Sequence, residues 1–228
     1  MVNVYYVGGC VRDEIMDVKC HDIDFSVEAA SYEEMRDWVA SKGEIFLETP
    51  QYLTIRARLP NIKGADFVLA RKDGTYDKDG RRPDFVEPGT LLDDLSRRDF
   101  CMNAIAKPLE GGDYIDPFMG QEDIKCRIVR CVGKTEDRFA EDSLRLLRAL
   151  RFSITKGFAL HPEIQDCLGR RDMVDRLENV SVERQREELN KCLAFDTLDT
   201  LRKLQVYPLV RDVVFQGRLS LEATLKDR

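Results

Sequence analysis

The sequence predicts an α+β protein, a mixed sheet-and-helix front followed by an all-helical back. Three observations predict it. Short β-rich runs, VYYVG (4–8), DIDFSV (22–27), EIFLETPQYLTIRARL (44–59) and ADFVLA (65–70), crowd the first third of the chain. Between 71 and 90 the apolar period vanishes and Gly74, Gly80, Pro83 and Gly89 punctuate the chain. From LLDDLSRRDF (91–100) onward most of the pattern is helical.

In order, VYYVG reads as a strand ending in glycines and DIDFSV as a second strand. SYEEMRDWVASKG reads as a helix, with Ser31 and Glu34 at capping-box spacing and Gly43 as its stop. Further strands follow at 44–59 and 65–70, then a mobile loop over 71–90. Short β-like stretches occur near DYIDP (113–117) and IVRCV (128–132). The strongest helix is RFAEDSLRLLRALRFSITKG (138–157), read as continuous. VSVERQREELNKCLAF and TLDTLRKLQVYPLV follow it. A front of strands and helices and a back of helices imply two domains, 1–125 and 126–228.

The 228 residues, 43% of them hydrophobic, suffice for one large core or two linked domains. A net charge of −6 argues against nonspecific coating of nucleic acid but leaves room for a local basic groove. Seven cysteines are odd in number, dispersed and without a CxxC pair, which points to reduced thiols and a cytoplasmic protein. With two histidines, a structural zinc site is not expected. No stretch approaches the apolar length of a membrane span, and Met1 to Gly9 lacks the pattern of a secretory signal.

Four segments carry candidate chemistry. In VGGCVRD (7–13), Gly8 and Gly9 let backbone N–H groups approach a phosphate, and a helix starting near Cys10 adds its positive end. Arg12 can pair with phosphate oxygens and Asp13 can brace that arginine. Taken alone, the segment reads first as a plain glycine turn between strand and helix, since a lone glycine motif is weak evidence. In DIDF (22–25), Asp22 and Asp24 fall on one face of a strand with Ile23 turned to the core. Two carboxylates on one face repel unless a cation lies between them, and hard oxygen ligands suit Mg²⁺. Phe25 and Val27 after them point to a partly shielded site, and Asp66 is a candidate third acid. A solvated edge strand is the alternative.

In DLSRRDFCMNA (94–104), Arg98 can hold a phosphate. Asp99 and Asn103, four apart on a helix, can read ribose hydroxyls. In EDSLRLLRALRF (141–152), Asp142, Arg145, Arg148 and Arg151 recur every third residue, a row that winds slowly round a helix. An Asp–Arg pair offers acceptor and donors to a base edge. Charged helix faces are the alternative for both.

Taken together and in this order, the segments resemble the class II tRNA nucleotidyltransferases, the family of CCA-adding enzymes and poly(A) polymerases. The resemblance runs through GGxVRD (8–13), DxD (22–24), DGTYDKDGRRPDF (73–85), DLSRRDFxxNA (94–104), DPFMGQEDI (116–124), RFAEDSLRLLRALRF (138–152) and SVERQREEL (181–189). It implies a polymerase-β-like head with a mixed sheet, then a helical neck. It also implies template-independent addition of nucleotides from CTP and ATP to an RNA 3′ end, with CCA addition to tRNA first. A poly(A), CC-only or A-only enzyme, and a binding protein that has lost catalysis, are the alternatives.

By the same resemblance Asp22 and Asp24 hold two Mg²⁺ ions, and Gly9 and Arg12 meet the triphosphate. Arg98, Asp99 and Asn103 hold triphosphate and ribose. Asp142 and Arg145 act as the template for C and A, Arg148 and Arg151 support base and phosphates, and Glu183 and Arg184 orient the template. The loop at 73–85 serves the switch from C to A. The resemblance further implies that the long body and tail helices of typical bacterial members are largely missing.

Overall fold

A computed structural model describes residues 2–20, 22–73 and 86–221. The loop at 73–85, apart from the backbone of Asp73, lies outside the described residues, as does His21. The chain divides into two compact units, the first ending at Cys126 and the second beginning at Arg127. Among the described residues no helix is long and apolar enough to cross a membrane.

The first unit runs β1 (Asn3–Val7), α1 (Gly9–Ile15), β2 (Ile23–Glu28), α2 (Tyr32–Lys42), β3 (Glu44–Thr49), β4 (Thr54–Leu59) and β5 (Ile62–Leu69). A short pair, β6 (Arg71–Asp73) with β7 (Val86–Pro88), carries the ends of the 71–90 segment. Then come α3 (Leu91–Ser96), a 3₁₀ turn (Cys101–Asn103), β8 (Ala106–Pro108) and α4 (Gly120–Cys126). The DYIDP stretch supplies only an isolated bridge, Ile115 to Ala106.

Six strands form one mixed sheet in the order β3-β4-β5-β2-β1-β8. Only β2 and β5 are parallel; every other neighbour is antiparallel. Its register sets Tyr6, Phe25, Phe67 and Ile55 in one row across four strands. Phe25 and Phe67 stack at 4.6 Å between centroids, and Tyr6 tilts onto Phe25 at 4.7 Å. Met35 and Val39 of α2 join the same core, so this row is the face that the amphipathic helix covers. One residue along, the row reads Val7, Asp24, Asp66 and Arg56. Side chains alternate along a strand, so this second row belongs to the opposite face.

Two readings of β2 change accordingly. The strand starts at Ile23, so Asp22 lies just before it and is exposed. Phe25 and Val27 do not shield the carboxylates; they are fully buried, with Ile23 partly buried beside them, in the core that α2 covers. The next residue on the carboxylate face is Ser26, which is buried.

Helix α2 is capped as its spacing implies. The Ser31 hydroxyl accepts from the Glu34 N–H at 3.2 Å, while the Glu34 carboxylate accepts from the Ala30 N–H at 2.7 Å. Gly43 ends the helix for a different reason from the usual left-handed turn. Its backbone is extended, and a Cβ there would lie 2.1 Å from the Arg58 carbonyl oxygen.

Among its described residues the second unit is helical apart from one short parallel pair, β9 (Ile128–Val129) with β10 (Ala159–Leu160). Its helices are α5 (Thr135–Glu141), α6 (Leu144–Thr155), α7 (Pro162–Gly169), α8 (Arg171–Val174), α9 (Val182–Phe195), α10 (Thr197–Val206) and α11 (Pro208–Val214). The helix expected over 138–157 is thus broken. Asp142 is extended (φ −144°, ψ 102°), and its Oδ1 accepts the Leu144 N–H at 3.1 Å. A short acidic side chain that bonds the neighbouring backbone competes with helix continuation. Pro208 separates α10 from α11 because it has no N–H to continue a helix.

Gly43→Ala forces a backbone shift between α2 and β4. We expect it to destabilise the first unit by about 1–3 kcal/mol, measured as a lower denaturation midpoint. An unchanged midpoint would contradict the packing described.

Candidate nucleotide-transfer site

The site in the first unit begins at the β1–α1 turn. Gly8 has φ +74°, a conformation that glycine adopts freely. It is also a contact point: a Cβ there would lie 2.8 Å from Arg98 Nη1 and 3.7 Å from Asp24 Oδ2. A Cβ on Gly9 would meet Arg12 Nη2 at 3.5 Å. Two guanidinium groups therefore flank the two glycines, with one carboxylate of the DxD segment beside them.

Each guanidinium is held by its own network. Arg12 is buried; its Nε and Nη2 donate to Asp13 Oδ1 at 2.9 and 2.8 Å, and its Nη1 donates to Asn103 Oδ1 at 2.7 Å. Asn103 in turn donates from Nδ2 to Asp99 Oδ1 at 3.0 Å. Asp99 and Asn103 are thus brought together, but not on a helix. α3 ends at Ser96, and the 3₁₀ turn closes the four-residue gap. Arg98 Nη2 donates to Asp94 Oδ2 at 2.9 Å, and its Nη1 reaches the Asn103 carbonyl at 3.3 Å.

The 3₁₀ turn is itself fixed by the DPFMG segment. Asp116 accepts the N–H groups of Gly120 and Gln121 at 2.7 and 2.9 Å, capping α4. A Cβ on Gly120 would lie 2.1 Å from the Cys101 carbonyl oxygen. The start of α4 therefore packs directly on the backbone that carries Asn103.

The acidic row lies on β2 and β5. Asp24 and Asp66 are register partners on parallel strands, with Asp22 two residues ahead of Asp24. Arg56 pairs with Asp66 at 3.2 Å. The Asp24 carboxyl is pushed above its usual value, first by burial; Arg98 opposes that, and Asp66 and Asp22 add to it. Negative charge is therefore crowded here. Among the described residues no three His, Cys, Asp or Glu side chains close into a ready-made metal cage. An open pair or trio of carboxylates is the donor set that Mg²⁺ takes when substrate phosphates complete its shell.

In the second unit, Asp142 and Arg145 are engaged by different partners. Asp142 Oδ2 is 3.0 Å from Arg184 Nη2 of α9. Arg145 is buried and donates from Nη1 to Glu141 Oε2 at 2.8 Å and to the Arg138 carbonyl at 3.1 Å. Arg151 donates from Nε to Glu188 Oε2 at 2.5 Å and lies 4.1 Å from the Phe152 ring centroid. Arg148 Nη1 is 4.0 Å from the same Glu188 carboxylate. Glu183 is in the first turn of α9.

Three acids that organise these arginines escaped the sequence reading. Asp94 and Glu141 stand three or four residues before arginines, a helical spacing that could have flagged them. Glu188 is 37 residues from Arg151, and no local signal marks it.

Residues 4–130 match the family described as poly A polymerase head domain. The chain is 38% identical over 190 residues to the CCA-adding enzyme of Leuconostoc mesenteroides, covering 83% of this chain and 45% of that protein. It is 35% identical to the CCA-adding enzyme of Bacillus subtilis over 218 residues, 89% of this chain and 50% of the relative. The CCA-adding enzyme of Bacillus stearothermophilus solved with CTP superposes with a TM-score of 0.74 at 33% identity, over 93% of this chain and 48% of that one. The Thermotoga maritima CCA-adding enzyme solved with tRNA superposes with a TM-score of 0.79 at 28% identity, over 96% and 50%. The chain spans about half the length of the curated relatives it matches. With more than half of its residues inside the head-domain match, the chain belongs to the nucleotidyltransferase family of CCA-adding enzymes and poly(A) polymerases.

Proposed function

We propose that this chain transfers nucleotides from CTP and ATP to an RNA 3′ end without a nucleic-acid template, building CCA on tRNA. One observation carries the reading: Arg12 and Arg98 flank the Gly8–Gly9 turn beside Asp24, which is in register with Asp66. Guanidinium pairs over side-chain-free backbone suit a triphosphate. A carboxylate row next to them suits the cations that accompany one. The relatives named above are CCA-adding enzymes, two of them solved with CTP or tRNA. None of the seven cysteines is in a disulfide, in keeping with a reducing cytoplasm.

In this reading Gly8 and Gly9 admit the triphosphate, and Arg12 and Arg98 neutralise it. Asp99 and Asn103 hold Arg12 in place and face the ribose. Asp22 and Asp24 would hold the divalent ions that the family's chemistry uses, two Mg²⁺ ions in this reading. Ions bound there would supply neutralisation of the charge that builds up during the transfer. The RNA 3′-oxygen bonds to the α-phosphorus, its proton passes to solvent, and the bond to the bridging oxygen breaks to release pyrophosphate. Positioning and charge neutralisation supply most of the rate in such a transfer. Asp142 and Arg145 read the base, with Arg148 and Arg151 in support; Arg184 and Glu183 aim Asp142.

Purified protein with Mg²⁺ and a tRNA ending at the discriminator base should add C, C and A from CTP and ATP and then stop. A long A ladder would move the assignment to poly(A) synthesis. No addition to any RNA, with CTP still bound, would favour a binding protein.

Replacing both acids, Asp22→Asn with Asp24→Asn, should lower kcat about a thousandfold while circular dichroism stays unchanged. Full activity in that variant would refute the metal assignment. Arg184→Ala frees Asp142 and should reduce discrimination of CTP over UTP about tenfold, read as a ratio of kcat/KM values. An unchanged ratio would remove Asp142 from base reading.

A further inference from the structure

Among the described carboxylates of the first unit Asp94 is the most deeply buried, and both of its oxygens are used. Oδ1 accepts from Arg97 Nε at 3.1 Å and Nη2 at 2.5 Å. Oδ2 accepts from Arg98 Nη2 at 2.9 Å. Burial by itself raises this carboxyl, but Arg98 and Arg97 outweigh it and hold it below the usual carboxylate range. The group is therefore an anion shared between two adjacent cations. Of those two, only Arg98 is placed against Gly8 and Asp24.

We propose that Asp94 is a positioning residue for triphosphate binding: it fixes the Arg98 guanidinium over Gly8 and holds Arg97 aside. This rests on the reading of the Gly8–Gly9 turn as the triphosphate site. Three constraints act on Arg98 together. Asp94 anchors Nη2, the Asn103 carbonyl accepts from Nη1, and Gly8 leaves the space that Nη1 fills. Arg98 Nε is buried without a partner, so the side chain is not saturated by the protein. Without the Asp94 anion, Arg98 can close on Asp24, which lies on the same side of Gly8 and already interacts with it. An arginine collapsed onto Asp24 would neutralise the carboxylate assigned to the metal ion. Asp94 thus keeps a cation for phosphate and an anion for metal apart across a few ångströms.

Asp94→Asn tests this. A carboxamide has one acceptor oxygen and one donor nitrogen, so it can satisfy one guanidinium and must oppose the other. A triphosphate contact made equally in ground and transition states appears in KM and not in kcat. The expected result is a KM for CTP and for ATP raised about tenfold, with kcat changed much less. The Kd for CTP, from calorimetry without RNA, should weaken by a similar factor. Asp94→Glu keeps the charge and moves it by one methylene. It should fold and show a smaller rise in KM, which covers the case in which the amide variant does not fold.

Wild-type KM and Kd values in a folded Asp94→Asn or Asp94→Glu protein would overturn the proposal. Equal losses in kcat and kcat/KM with an unchanged CTP Kd would also overturn it. A wild-type chain that binds CTP but adds no nucleotide refutes the proposed activity and leaves the Kd comparison to decide the role of Asp94. A wild-type chain that binds no CTP refutes both.

Discussion

The parallel register between β2 and β5 is the constraint on which the rest of the candidate site depends. It pairs Phe25 with Phe67 on one face and Asp24 with Asp66 on the other. The two faces cannot be set separately. A slip of one residue would turn the stacked rings toward solvent and the carboxylates into the core. Burial of the aromatic row, worth about 1.5–3 kcal/mol for each such side chain, therefore also fixes the acidic row. The packing of Met35 and Val39 against those rings holds the carboxylates in place from the opposite side of the sheet.

A second theme is that the cations are held by anions. Asp13, helped by the neutral Asn103 amide, holds Arg12, Asp94 holds Arg97 and Arg98, Glu141 holds Arg145, and Glu188 holds Arg151. This reconciles a net charge of −6 with arginine-rich candidate sites. Burying such pairs is costly, and removing one partner of a buried pair typically costs about 3–5 kcal/mol. The return is preorganisation. A guanidinium fixed in advance loses little conformational freedom when a phosphate arrives, so more of the contact energy appears as affinity. The same logic explains Gly120. Its missing side chain lets α4 press on the Cys101 carbonyl and so steadies the turn that carries Asn103.

Some elements were legible because local physics decides them. The strand at β1, the Ser31 cap of α2 and the Gly8 turn follow from β-propensity, a hydroxyl that accepts an N–H, and a positive φ. Others were misread because a local rule met a competing partner. The 138–157 pattern reads as one helix until Asp142 bonds the Leu144 N–H and pairs with Arg184, 42 residues away. Asp99 and Asn103 have helical spacing, yet a 3₁₀ turn brings them together. Phe25 and Val27 suggest a partly shielded site, whereas alternation turns them to the opposite face and puts Ser26 beside the carboxylates.

By itself the sequence determined the residue types of the candidate site and their order along the chain: glycines before an arginine, paired acids, and acids near arginines in the later helices. These are properties of short segments, where spacing and side-chain chemistry suffice. Only the tertiary structure decided that Glu188 serves Arg151, and that the Arg98 guanidinium, not that of Arg97, lies over Gly8. It also set Asp66 beside Asp24. Those outcomes depend on contacts between residues far apart in the chain, such as Arg12 with Asn103 across 91 positions. No local pattern encodes such contacts, because strand register and helix packing set them.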